Sequence, residues 1–113
     1  MKYLILFGLL IITTALEACG DAIIRMGLYN QVALPARIGL FAAGTVLLLG
    51  YGTTLNLAPQ DFGKLIGAYV ATFFVMAQII NLIFFRTAPS LPILVGGAFI
   101  IAGGAIVTFW QSA

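Results

Sequence analysis

The sequence predicts an all-α integral membrane fold, a four-transmembrane-helix bundle, on three observations. Of 113 residues, 63% are hydrophobic and only 7% charged, with a mean hydropathy of +1.18. A soluble domain of this size lacks the interior to hide so much apolar surface. The five basic and three acidic residues punctuate the chain and leave four apolar runs of 20 to 23 residues, each long enough for the roughly 20 helical residues that a bilayer core requires. Transmembrane strands need only about 9–11 residues and alternating polarity, and these runs are longer and apolar all round.

The first run, Tyr3 to Ile24, contains two charges, Glu17 and Asp21, and predicts a helix over 3–26. Met1-Lys2 followed by apolar residues has the opening of a cleavable signal, and Leu16-Glu17-Ala18-Cys19 faintly resembles a lipoprotein cleavage box. Three further spans, and an acidic residue just before the cysteine, argue that the helix is kept. Ile38–Gln60, between Arg37 and Asp61, predicts a helix over 35–57. Leu65–Phe85, between Lys64 and Arg86, predicts 63–85. Leu91–Trp110 predicts 91–111, with Trp110 as an interfacial anchor. The linkers, about Gly27–Ala36, Ala58–Gly63 and Arg86–Ser90, hold three of the four prolines. They are short enough to make sequential helices antiparallel neighbours, so residues 1–113 read as one domain.

Glu17 is the most informative residue. Centring the first run in the membrane puts it about 5 Å from the midplane at 1.5 Å rise per residue. An ionisable group at that depth costs several kcal/mol unless it faces protein or a wet cavity, and so marks a functional site. Thr13, Glu17, Asp21 and Arg25 recur every four residues and share one face. Asp21, about 11 Å from the midplane, and Arg25, near the interface, can pair with each other. Glu17 then has no cation of its own helix within a turn, and a carboxyl group so placed suits a proton carrier. Its structural alternative is a buried carboxylate hydrogen-bonded to Thr13 or to another helix. In the third span, Gln78 and Asn81 share a face roughly opposite Tyr69, where amides commonly join helices by hydrogen bonds. In the fourth, Gly96 with Gly103, and Gly97 with Gly104, stand seven apart. Glycines on one face allow close backbone approach, and this stripe is expected to meet a second copy of the chain.

Other classes are disfavoured. The net charge of +2 comes from basic residues scattered one per helix end, with no patch for nucleic acid. Lys2 and Lys64 fall on the N-terminal side and Arg25, Arg37 and Arg86 on the other, so the positive-inside rule fixes orientation weakly and dual insertion is open. The single Cys19 forms no internal disulfide. Without His or a second Cys there is no metal-ligand spacing, so neither a metal, a cofactor nor an enzyme is expected.

The chain resembles the small multidrug resistance family, within the drug/metabolite transporter superfamily, along essentially its whole length. Glu17-Ala18-Cys19-Gly20 matches that family's Glu-x-x-Gly. Pro59, Gly63 and Ala68-Tyr69 fall where it has a Pro, a Gly and an Ala-Tyr, closest in form to a branch of four-helix inner-membrane relatives. Gly96 and Gly103 match its dimerising glycines. The resemblance implies a multi-pass inner-membrane homodimer, often with oppositely inserted protomers, that exchanges protons for a cationic substrate. By that resemblance Glu17 would bind proton and cation alternately, and Tyr69 would wall the site in place of the family's tryptophan. The sequence departs from the pattern at Gly44-Thr45, near the position of a substrate-facing tyrosine, with Tyr51 too far along; Asp21 and Arg25 are additional charges. Two functions follow: a proton-coupled antiporter of a small or lipophilic cation, or a non-catalytic membrane subunit, such as a component that helps flip a lipid-linked substrate.

Overall fold

The computed structural model describes residues 2–110; residues 1 and 111–113, and the side chain of Lys2, lie outside the described residues, including the expected end of the last helix at 111. Four helices follow in order: α1 (Lys2–Tyr29), α2 (Leu34–Asn56), α3 (Phe62–Phe85) and α4 (Leu91–Phe109). All four are long and apolar enough to cross a membrane.

The ends follow local chemistry. Pro35 stands in the first turn of α2 and Pro92 in that of α4, where a missing N–H costs nothing. Asp61 caps α3 by accepting the Lys64 N–H at 3.3 Å. Arg86 ends α3 in the left-handed region at φ 52°, and its N–H bonds back to the Asn81 carbonyl. α1 runs three residues past its expected end because nothing in Gly27-Leu28-Tyr29 breaks a helix once the apolar run is over. Its geometric midpoint therefore lies nearer Glu17, about 2 Å away along the axis.

α1 is the centre of the fold. It packs against α2 on one side and α3 on the other, while the backbone of α4 approaches α3 alone. One third of its most apolar stretch is buried, against 11–17% in the other helices. The arrangement is open and shallow, 56 × 35 × 20 Å. One expectation is corrected here: α2 and α3, joined by a short linker, are not backbone neighbours. α1 wedges between them, and they meet through the rings of Tyr51 and Tyr69. The core, Leu6, Leu10, Leu55, Leu65, Ala68 and Tyr69, lies toward the end where α1 begins. At that end Tyr3 also reaches the α4 ring of Phe109, at 5.2 Å between centroids. Large apolar side chains elsewhere, such as Val46, Leu49, Phe99 and Leu91, point outward, as lipid-facing surface does.

Glycines set the helix spacing. Gly20 of α1 lies against Leu48, with the Gly44 carbonyl also close, and a Cβ on Gly44 would run into Ile24 and approach the Gly20 carbonyl at 3.1 Å. Overpacking such a contact costs about 1–3 kcal/mol. Gly44→Leu is therefore expected to lower the melting temperature in detergent relative to Gly39→Leu, since nothing lies within 4 Å of a Cβ at Gly39. Equal melting of the two variants would mean that the α1–α2 contact is looser than this.

The α4 stripe divides in two. Gly97 faces Phe74, and Gly104 faces Ala71 with the Gly67 carbonyl beyond; both are buried. They were expected at a contact between copies, but their close approach is made to α3 of the same chain. Gly96 and Gly103 have nothing within 4 Å of a Cβ and remain on the outer face.

Candidate functional site

Glu17 is half-buried on the face of α1 between α2 and α3. The hydroxyl of Tyr69, from α3, donates a hydrogen bond to its carboxylate Oε1. Of the alternatives for Glu17, another helix supplies the partner and Thr13 does not. The Thr13 hydroxyl is fully buried and bonds the carbonyl of Leu9 at 2.9 Å. With its one proton committed to its own helix it cannot donate to the carboxylate. Thr14 does the same toward Leu10, at 2.6 Å. Both threonines pack beneath the site rather than open onto it.

Tyr69 is held by its surroundings. It is 6% exposed and stacks on Phe73, one turn further along α3, at 5.8 Å between centroids and 11° between planes. On its other side the Tyr51 ring of α2 stands 5.5 Å away. Tyr51 and Phe73 thus flank the ring whose hydroxyl reaches the carboxylate. Tyr51, expected to lie too far along α2, stands at the site. The glycine contacts explain its place: α1 and α2 run antiparallel, with Gly27 beside Leu40 and Phe41, and Gly20 beside Leu48. Each turn back along α1 advances one turn along α2, which brings position 51 level with Glu17. Gly20 and Gly44 were the signal in the sequence that could have set this register.

Asp21 lies one turn outward and is exposed. The expected pair with Arg25 does not form: among the described residues neither makes an ion pair, and the Arg25 guanidinium sits over the Tyr29 ring at 5.0 Å. Asp21 and Arg25 instead line one cavity of about 660 Å³ between the outer halves of α1 and α3. Gln78 and Asn81 form its α3 wall, Thr87 of the following loop closes one side, and Phe73, which stacks on Tyr69, is shared with the Glu17 site. Gln78 and Asn81 therefore do not bridge helices as expected; the Gln78 Oε1 is buried with no hydrogen-bond partner. A second depression, of about 580 Å³, lies along α3 between α1 and α4 and is almost wholly apolar.

The chain is 35% identical over 69 residues to a UPF0060 membrane protein from Herpetosiphon aurantiacus, covering 59% of this chain and 63% of that protein. It matches no protein-family model. It matches no solved structure either. A membrane protein as relative and four helices of spanning length agree: this is a multi-pass membrane protein whose one mid-span carboxylate, Glu17, is tied to a tyrosine of another helix.

Proposed function

We propose that the protein is a proton-coupled transporter of the inner membrane, an antiporter exporting a small or lipophilic cation, that works as a homodimer. The observation that supports this best is that the Glu17 carboxylate stands at mid-span and is still half-exposed, although the Tyr69 hydroxyl donates to it. A carboxylate at such depth is costly, and among the described residues it has no basic side chain to neutralise it, only one hydroxyl donor from a neighbouring helix. A single carboxylate cannot hold a proton and a cation together. Each must displace the other, and that competition ties their fluxes. Tyr51 and Phe73, both partly exposed on either side of the buried Tyr69 ring, offer ring faces to an incoming cation, and Asp21 stands outward of them on the way in.

The test is proton release by the detergent-solubilised protein on addition of quaternary ammonium, amine and guanidinium compounds. Release that saturates with at least one class, with affinity falling as pH drops and protons refill the carboxylate, is the expected result. No release with any class would leave the second reading, a non-transporting membrane subunit that helps move a lipid-linked substrate. That reading draws its support from the charged cavity beside the site.

The homodimer is supported by the openness of the protomer. Four helices leave Glu17 half-exposed and Asp21 uncovered, and a second copy would close that face. Gly96 and Gly103, free on the outer face of α4, are the residues for close contact. Gly96→Leu combined with Gly103→Leu is expected to shift the protein to monomer in crosslinking, because added side chains hold the backbones apart. An unchanged dimer would move the interface to another face.

A further inference from the structure

Asp21 and Arg25 stand one helical turn apart, with Cβ atoms about 5–6 Å from each other, yet they do not pair, and both open into the same cavity. Left to themselves, opposite charges at this spacing on a helix tend to meet. Here the guanidinium leans onto the Tyr29 ring, which leaves its N–H edge and the Asp21 carboxylate both available. The opposite wall carries amides, with the Gln78 Oε1 buried and unpartnered. The cavity, at about 660 Å³, has the size of an ordinary small-molecule site. It lies over two turns of α1, from Ala18 to Arg25, and reaches Thr87 in the loop after α3, so that it runs from beside the Glu17 site toward the interface.

We propose that this cavity binds a zwitterion made of a primary ammonium joined through a short link to a phosphate, with Arg25 taking the phosphate and Asp21 the ammonium. Guanidinium suits phosphate because its N–H fork matches two oxygens at once. The ammonium has three donors, one of which satisfies Asp21, with the residues Gln78 and Asn81 on the facing wall. A lone anion would leave Asp21 facing it as a like charge, and a lone cation would face Arg25 in the same way. The two charges together select a ligand that carries both. Such a ligand is either a free phosphoethanolamine-like solute or the headgroup of phosphatidylethanolamine. This site adjoins the Glu17 site and shares Phe73 with it, but the groups that hold the ligand are Asp21 and Arg25, and Glu17 is not among its lining residues.

The experiment is calorimetric titration of the purified full chain with phosphoethanolamine, phosphate alone and ethanolamine alone. The intact zwitterion is expected to bind at least tenfold more tightly than either half. Asp21→Asn and Arg25→Gln are each expected to lose roughly tenfold or more, the worth of one charge-assisted contact. Arg25→Lys, which keeps the charge but not the fork, should fall between. Glu17→Gln should bind as the native chain does, which separates this site from the transport reading. Native mass spectrometry from phosphatidylethanolamine and phosphatidylglycerol nanodiscs then assigns the source. Retained phosphatidylethanolamine that phosphoethanolamine displaces marks a headgroup site; phosphoethanolamine binding without retained lipid marks a free solute, and both uphold the zwitterion. Phosphate binding as tightly as phosphoethanolamine, an equal loss in Glu17→Gln, or no binding of any probe would overturn it.

Discussion

Glu17→Gln is expected to abolish both cation-dependent proton release and transport, while the protein still folds and inserts. The substitution is unusually selective at this position. A glutamine side chain keeps the length of glutamate, and its Oε1 still accepts from the Tyr69 hydroxyl, so the link between α1 and α3 survives. What disappears is the negative charge and the exchangeable proton. Removing one member of a desolvated ion pair costs about 3–5 kcal/mol, roughly a hundred- to several-thousandfold in cation affinity. Proton release should vanish altogether, since the amide has no proton to trade. Asp21→Asn is expected to do less to transport, because Asp21 is exposed and lies outward of the aromatic cluster. The measurement is proteoliposome uptake driven by a pH gradient, run beside size-exclusion profiles that confirm the fold. If Glu17→Gln kept pH-dependent transport, or if Asp21→Asn were the more damaging change, the exchanging group would be one turn further out.

How much of this was legible beforehand varies with the kind of contact. Charges at the ends of apolar runs place the spans well, because burying a charge in hydrocarbon is the dominant cost; the starts of α2, α3 and α4 fall within a residue of expectation. The end of α1 was less legible. A helix does not stop where its apolar run stops, and only Asn30 and the approach to Pro35 end it. Partnership between helices was the least legible. Short linkers say that α2 and α3 follow one another, but not that α1 lies between them. The seven-residue glycine spacing on α4 says that backbones meet closely, but Gly97 and Gly104 meet α3 while Gly96 and Gly103 stay open. One stripe of small residues serves two faces about 100° apart, the turn per residue of an α-helix. Glu17 and Tyr69 were both singled out from the sequence; the bond between them, and the arrival of Tyr51 at the same place, needed the packing register.

Tyr69→Phe is the sharper test of what that bond does. The substitution removes one oxygen and leaves the ring, so the stack on Phe73 and the contact with Tyr51 are preserved. The carboxylate loses the one side-chain donor that reaches it among the described residues. A hydrogen bond to a charged group is worth about 1.5–3 kcal/mol, so cation affinity at neutral pH is expected to fall roughly ten- to a hundredfold. The reason is that the charged carboxylate, the form that receives the cation, is the form the hydroxyl supports. Tyr69 acts here as a positioning residue. Its loss should weaken binding and leave proton exchange in place, whereas Glu17→Gln removes both, and that contrast separates the two roles. A cation titration at several pH values makes the comparison. Binding tighter than in the native chain would mean that the hydroxyl competes with substrate and merely occupies the empty site. Binding unchanged at every pH would mean that the bond holds α1 to α3 and has no part in exchange.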